Sequence, residues 1–207
     1  MIEDYPAFAT RLEELATRCA SETTGDGICR LLAEIDRLVE AHLAAVPREP
    51  VACRAGCPAC CVIQVAVLSP ETAAIAAYLE KSLDPTALSA WTARLGELAD
   101  RLRWVDEEER LRLQIPCPFL DARGYCSIHP VRPLMCRSIT STDPGQCRRA
   151  LTACDPDEAE PVTMNLVQRF LYVEAFTTLG AALARQGADS RSRELVHAVH
   201  SALTSPK

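Results

Sequence analysis

Apolar residues recur at three- and four-residue intervals along most of the chain, the period of helices that bury one face. Phe8, Leu12 and Leu15 predict a short helix from residue 5 to about residue 20. After the polar break SETTGDG, a clearer helix is predicted over 27–46. Its apolar positions are Ile28, Leu31, Leu32, Ile35, Leu38, Val39, Leu43 and Val46, and Pro47 and Pro50 end it. The run VIQVAVL reads as a strand or an extended lead-in. Ser69-Pro70-Glu71 then has the form of an N-cap, a first-turn proline and an acid suited to the helix dipole, opening the helix TAAIAAYLEK. Asp84-Pro85 repeats that signal, and Leu88, Trp91, Leu95, Leu98, Leu102 and Val105 form a narrow seam for packing on another helix. The residues opposite that seam, and the acidic DEEE at 106–109, read as solvated surface.

The periodicity fails in two places, around residues 51–61 and again from 115 to 155. Ile115-Pro-Cys-Pro-Phe-Leu is too rich in proline for a helix, and Asp121–Gly124 reads as a turn. A small hairpin, FL–DARG–YCSI, would then set Cys117 and Cys126 on neighbouring arms. Beyond it a proline-started turn carries Cys136, Asp143-Pro144 opens a short helix holding Cys147, and Cys154 precedes the acidic loop DPDEAEP. Two last helices are predicted over 163–186, marked by Leu166, Phe170, Val173 and Phe176, and over 189–203, marked by Leu195, Val196, Val199 and Leu203. The expected fold is mainly α: a helical domain with a small irregular β-hairpin and a cysteine-rich metal-binding core. It divides into an N-terminal helical segment (1–50), a cysteine-cluster region (51–155) and a C-terminal helical pair (156–207), within one compact domain.

Composition narrows the function. The chain has 207 residues and a net charge of −6 with no basic cluster, which opposes nucleic-acid binding. Its start is acidic, without the basic-then-apolar order of a signal peptide, and no apolar run approaches a membrane span. A cytoplasmic protein with no membrane partner is the expectation. Eleven cysteines are an odd number for a disulfide framework, so metal binding or thiol chemistry explains them better.

Four of those thiols fall in nine positions, as Cys53-Arg-Ala-Gly-Cys57-Pro-Ala-Cys60-Cys61. Cys57-x-x-Cys60 is the spacing with which one turn offers two thiolates to a metal. The second group is Cys117, Cys126 and Cys136. These seven cysteines are the candidate ligands, and they exceed the four that a structural zinc or a [4Fe–4S] cluster takes. Adjacent Cys60 and Cys61 have Cα atoms about 3.8 Å apart and side chains that point differently, so they serve different metals or one is spare. Cys57, Cys60, Cys126 and Cys136 are the first choice for one complete set; Cys53, Cys61 and Cys117, with Cys147, make up the remainder. Arg132 and Arg137 flank Cys136 and can offset thiolate charge while donating to sulfur. Cys19 and Cys29 lie on helices and read as small buried hydrophobes. His42 and the pair His197 and His200 read as helix flanks.

Cys53-x-x-Gly56-Cys57-x-x-Cys60-Cys61, Cys117-Pro-Phe-Leu, Gly124-x-Cys126-Ser-Ile and Arg132-Pro133-x-x-Cys136-Arg137 together resemble the YkgJ-type cysteine-cluster proteins, the CxxCxxCC zinc- or iron-chelating domain. The resemblance covers residues 53 to about 150. It departs at His129, where the family usually has tyrosine: either a ring-for-ring exchange beside the cluster or an added nitrogen ligand. Cys147 matches a cysteine of many bacterial members. The resemblance implies a metal site of zinc or iron, the latter alone or in a [4Fe–4S] cluster, and some larger proteins with this pattern, such as flagellin lysine methylases, look like iron–sulfur proteins.

The function expected is that of a metal-binding protein holding a Cys-ligated zinc or iron centre. One alternative is an iron–sulfur protein that carries electrons or supports a modification of a partner. Another is a thiol–disulfide redox protein, for which the chain lacks the usual strand–helix alternation. No phosphate loop, Ser–His–Asp set or HExxH is present, and the reading leans away from an enzymatic activity of its own.

Overall fold

The computed structural model describes residues 4–46, 50–152 and 161–205. Pro47, Cys154 and most of the acidic loop after it lie outside the described residues. Helices dominate: α1 (Tyr5–Ser21), α2 (Gly25–Ala44), α3 (Ser69–Ser82), α4 (Pro85–Leu102), α5 (Glu107–Leu113), α6 (Leu134–Ser138), α7 (Pro144–Thr152), α8 (Leu166–Arg185) and α9 (Leu195–Thr204). A 3-10 turn spans His129–Val131. The fold is therefore mainly helical, as the apolar periodicity predicts. Among the described residues, no helix is long and apolar enough to cross a membrane.

Two apolar cores share α3. The first is built by α1, α2 and α8: Leu12 and Leu15 meet Ile35, Val39, Leu171 and Leu179, all almost without exposure, and Ala74 of α3 closes it. The second packs Ile75 and Leu79 of α3 against Leu95, Ala99 and Leu102 of α4 and Val196 and Val199 of α9. Because α3 is covered on both sides, it has apolar residues all round instead of on one stripe. The seam predicted on α4 is the face that α9 covers.

Several local expectations are corrected. The N-cap of α3 is Leu68, not Ser69, whose hydroxyl instead donates to the Asp189 carbonyl at 3.2 Å. On α8 the buried stripe is Leu171, Tyr172, Ala175, Leu179, Ala182 and Leu183; Leu166 is 70% exposed and Phe170 47% exposed. That helix carries apolar residues on more than one face, so Leu166 and Phe170 mark an exposed one, while Phe176 packs against the first core. The predicted hairpin is reduced to one antiparallel bridge, Leu120 with Cys126. A strand pair appears elsewhere: β1 (Ala66–Val67) from the VIQVAVL run pairs antiparallel with β2 (Arg193–Glu194), in the segment predicted as the start of the last helix. The acidic stretch 107–109 is exposed as expected, but it also opens α5, which Asp106 caps by accepting from the Glu109 amide at 2.8 Å.

Candidate metal centre

The first cysteine loop is a series of tight turns. The Cys57 amide donates to the Arg54 carbonyl (3.0 Å), a turn that holds Gly56 at φ +83°, and the Cys61 amide donates to the Pro58 carbonyl (2.9 Å). A left-handed φ of this kind suits glycine, which has no Cβ to clash. The Cys117 amide donates to the Cys61 carbonyl at 2.6 Å and so stitches the second cysteine segment onto the first.

Asp121 organises the second loop, its Oδ1 accepting from the amides of Arg123 (2.8 Å) and Tyr125 (2.9 Å). Gly124, at φ +80°, presses against the first loop, and a Cβ there would meet the Gly56 carbonyl oxygen at 3.3 Å. Tyr125 lies against Gly56 in turn. The two glycines of the motif therefore let the two cysteine loops touch.

Cys136 rides on α6, whose start is held from the helical core. Glu71 on α3, 2% exposed, accepts from the Leu68 amide (2.9 Å) with one oxygen and from the Leu134 amide (2.8 Å) with the other. Burial pushes its carboxyl up to about 7, against the pull of those two amides and of Arg137. Arg110 of α5, 3% exposed, donates to the Val62 carbonyl (3.3 Å) and pairs with Glu194 at 3.0 Å. Glu194 also accepts from the Val196 and His197 amides, so one carboxylate fixes α5, β2 and the start of α9. Neither Glu71 nor Arg110 is marked in the sequence as part of the site; only its folding discloses their burial.

These braces surround a cavity of about 460 Å³, and all seven predicted cysteines line it. Cys53 is exposed and the other six are half-buried. Cys147 of α7 lines the same cavity, as do His129 and Arg132. Cys19 and Cys29 do not: Cys19 is buried in the first core, and the Cys29 thiol donates to the Ala74 carbonyl at 3.6 Å. His197 and His200 stand apart from the cavity, His197 against Glu194 at 3.0 Å and His200 against Gly96.

The two arginines part company. Arg132 lies among the thiols and donates to the Cys136 carbonyl at 2.5 Å; burial works against its charge, but Cys136, Cys60, Cys61 and Cys126 hold its pKa up. Arg137, expected to donate to sulfur, donates instead to the carbonyls of Arg132 (3.0 Å) and His129 (3.4 Å) and pairs with Asp36 of α2 at 3.2 Å. Two carbonyl oxygens and the Asp36 carboxylate outcompete a weak sulfur acceptor. Its role is to tie the 129–137 segment to the helical core.

The thiols differ electrostatically. Burial pushes Cys117 up to about 11 and Cys136 up to about 12, and it also raises Cys126 and Cys53. Cys60 is drawn down to about 6, chiefly by a hydrogen bond with the Cys61 thiol and also by Arg132, while Cys61 moves up. Burial first, and then the charges of Arg137 and Arg132, lower the pKa of His129.

The donor chemistry fits zinc or iron, because thiolate ligands and a nearby cation are what such centres use. Among the described residues, no three histidine, cysteine or carboxylate side chains are drawn close enough to hold one ion. The thiols encircle a space instead of meeting at a point.

No curated protein and no solved structure matches the chain. One family does: the model of the CxxCxxCC family, described as "Putative zinc- or iron-chelating domain", matches residues 52–155, half of the sequence and all of the cavity's cysteines. The chain belongs to the CxxCxxCC family of zinc- or iron-chelating domains.

Proposed function

We propose that the chain is a metal-binding protein whose cysteine-lined cavity holds more than one atom of zinc or iron, as separate ions or as an iron–sulfur cluster. The observation that carries this reading is donor number: eight cysteines line one cavity. A tetrahedral zinc or a [4Fe–4S] cluster takes four protein ligands, and eight thiols exceed that number. The metal supplies positive charge that the buried thiols lack; iron in a cluster adds one-electron chemistry. The chain's own residues hold and orient it: Cys57, Cys60, Cys61, Cys117, Cys126 and Cys136 as ligands, Arg132 beside them as a compensating cation. A reducing compartment such as the cytoplasm would keep these thiols available as ligands.

Substitution of single thiols tests the assignment. Cys57→Ser and Cys136→Ser are expected to lose bound metal and to lower stability, because binding free energy in such a site is folding free energy. Cys29→Ser, outside the cavity, is expected to keep both. Elemental analysis and urea unfolding of the three variants read this directly; full metal content in all three would remove the reading.

A further inference from the structure

Of the seven motif cysteines, Cys136 alone sits on a helix, and that helix, α6, has five residues. So short a helix does not hold its own conformation. Its orientation is set at its ends: Leu134, 3% exposed, packs into the first apolar core, and Ser138 is fully buried. Cys136 follows Leu134 by two residues and is therefore turned about 200° around the helix axis, away from that core and onto the cavity, which it lines beside the second core. Whatever fixes α6 fixes where this thiol stands.

Three helices of the fold reach α6. Glu71 of α3 accepts from the Leu134 amide at 2.8 Å. Asp36 of α2 pairs with Arg137 at 3.2 Å, while its other oxygen accepts from the Tyr172 hydroxyl of α8 at 2.7 Å. Gln168 of α8 donates to the Arg137 carbonyl at 3.0 Å. Glu71 is the deepest of these, 2% exposed. Capping α3 needs only the oxygen that accepts from the Leu68 amide, three residues back. The second oxygen, spent on an amide 63 residues away, serves α6 instead. Asp36 and Gln168 lie outside residues 52–155, the part of the chain that the family model matches.

We propose that Glu71, backed by Asp36 and Gln168, is a positioning residue for Cys136, and that metal affinity depends on it although it touches no thiol. An α6 released from Glu71 would have to be ordered by the metal itself, and that ordering would be lost from the binding free energy. The proposal rests on the metal-binding reading above and extends the site's support to the helices that flank the family match.

The test compares metal affinity with metal-free stability in the full chain. Zinc affinity is read by competition with a chelator, thiolate ligation by the charge-transfer absorption of bound Co²⁺, and stability by urea unfolding without metal. Glu71→Gln keeps the shape of the side chain but has one acceptor oxygen for two amides. It is expected to weaken zinc roughly tenfold or more and to lower the Co²⁺ absorption per bound ion. Gln168→Met, which removes only the bond to the Arg137 carbonyl, is expected to shift both in the same direction by less, with helical circular dichroism unchanged; it decides the matter if Glu71→Gln does not fold. Leu12→Val, which trims the first core from α1 and leaves these ties in place, is expected to lower stability while affinity and absorption stay those of the wild type. Wild-type affinity and absorption in the folded Glu71 and Gln168 variants would overturn the proposal. So would a loss of affinity in Leu12→Val as large as theirs, which would reduce Glu71 to a general support of the fold. If the wild-type chain binds neither Zn²⁺ nor Co²⁺ and carries no iron when isolated, the metal-binding reading itself fails.

Discussion

Single residues decide whether the two cysteine loops can meet. Gly124 holds a left-handed φ of +80° at the point where the loops touch, and Gly187 holds φ +69° at the end of α8 with nothing nearby. Alanine at either position pays the same backbone strain, about 1–2 kcal/mol. The expected outcome is that Gly124→Ala and Gly187→Ala lose comparable stability in urea, while only Gly124→Ala also weakens metal binding, since its Cβ would push on the Gly56 carbonyl. Equal metal affinity in the two variants would mean that contact between the loops does not shape the site. What was legible is that the motif residues gather: Cys53, Cys57, Cys60, Cys61, Cys117, Cys126 and Cys136 all line one cavity. Arg137 was not, because a flanking position in sequence says nothing of whether a guanidinium turns to sulfur or, as here, to carbonyl oxygens and Asp36.

At the level of elements, the cavity is framed by contacts that no local pattern encodes. The Asp106 cap and the acidic first turn do announce α5, but not that Arg110 on it is buried against Glu194, 84 residues away in sequence. Removing one member of a buried pair leaves the other charge unpaired, a loss of about 3–5 kcal/mol, whereas exposed pairs contribute about 1 kcal/mol or less. Arg110→Ala is therefore expected to destabilise the chain far more than Arg112→Ala, which removes only the exposed pair with Glu108; equilibrium urea unfolding of both variants measures the difference. The long helices were legible because one apolar stripe defines a buried face. For α8 the same rule misled, since a helix with apolar residues on more than one face offers several stripes. The strand pair β1–β2 is two residues long on each side and rests on partners 128 positions apart, as Ala66 with Glu194, so no periodicity reveals it.

For the whole molecule, the proposed reading makes the centre and the fold one thermodynamic unit. Cys117 and Cys136, raised by burial to about 11 and about 12, keep their protons at neutral pH in the absence of metal. Binding must displace those protons, so metal affinity rises with pH across the neutral range and falls on acidification. Adding Zn²⁺ to the metal-free chain in weakly buffered solution at neutral pH is expected to acidify it, as an indicator dye would record; uptake without proton release would mean that the thiols are already ionised. The two apolar cores place helices around the cysteine segments, and on the proposed reading thiolates and metal close the cavity between them. The most direct measurement of that claim is the content of zinc, iron and acid-labile sulfide in the untagged chain purified anaerobically. The proposed reading predicts more than one metal atom per chain, zinc without sulfide or iron with it. A chain with all thiols free and no metal, or with a single atom, would contradict the account.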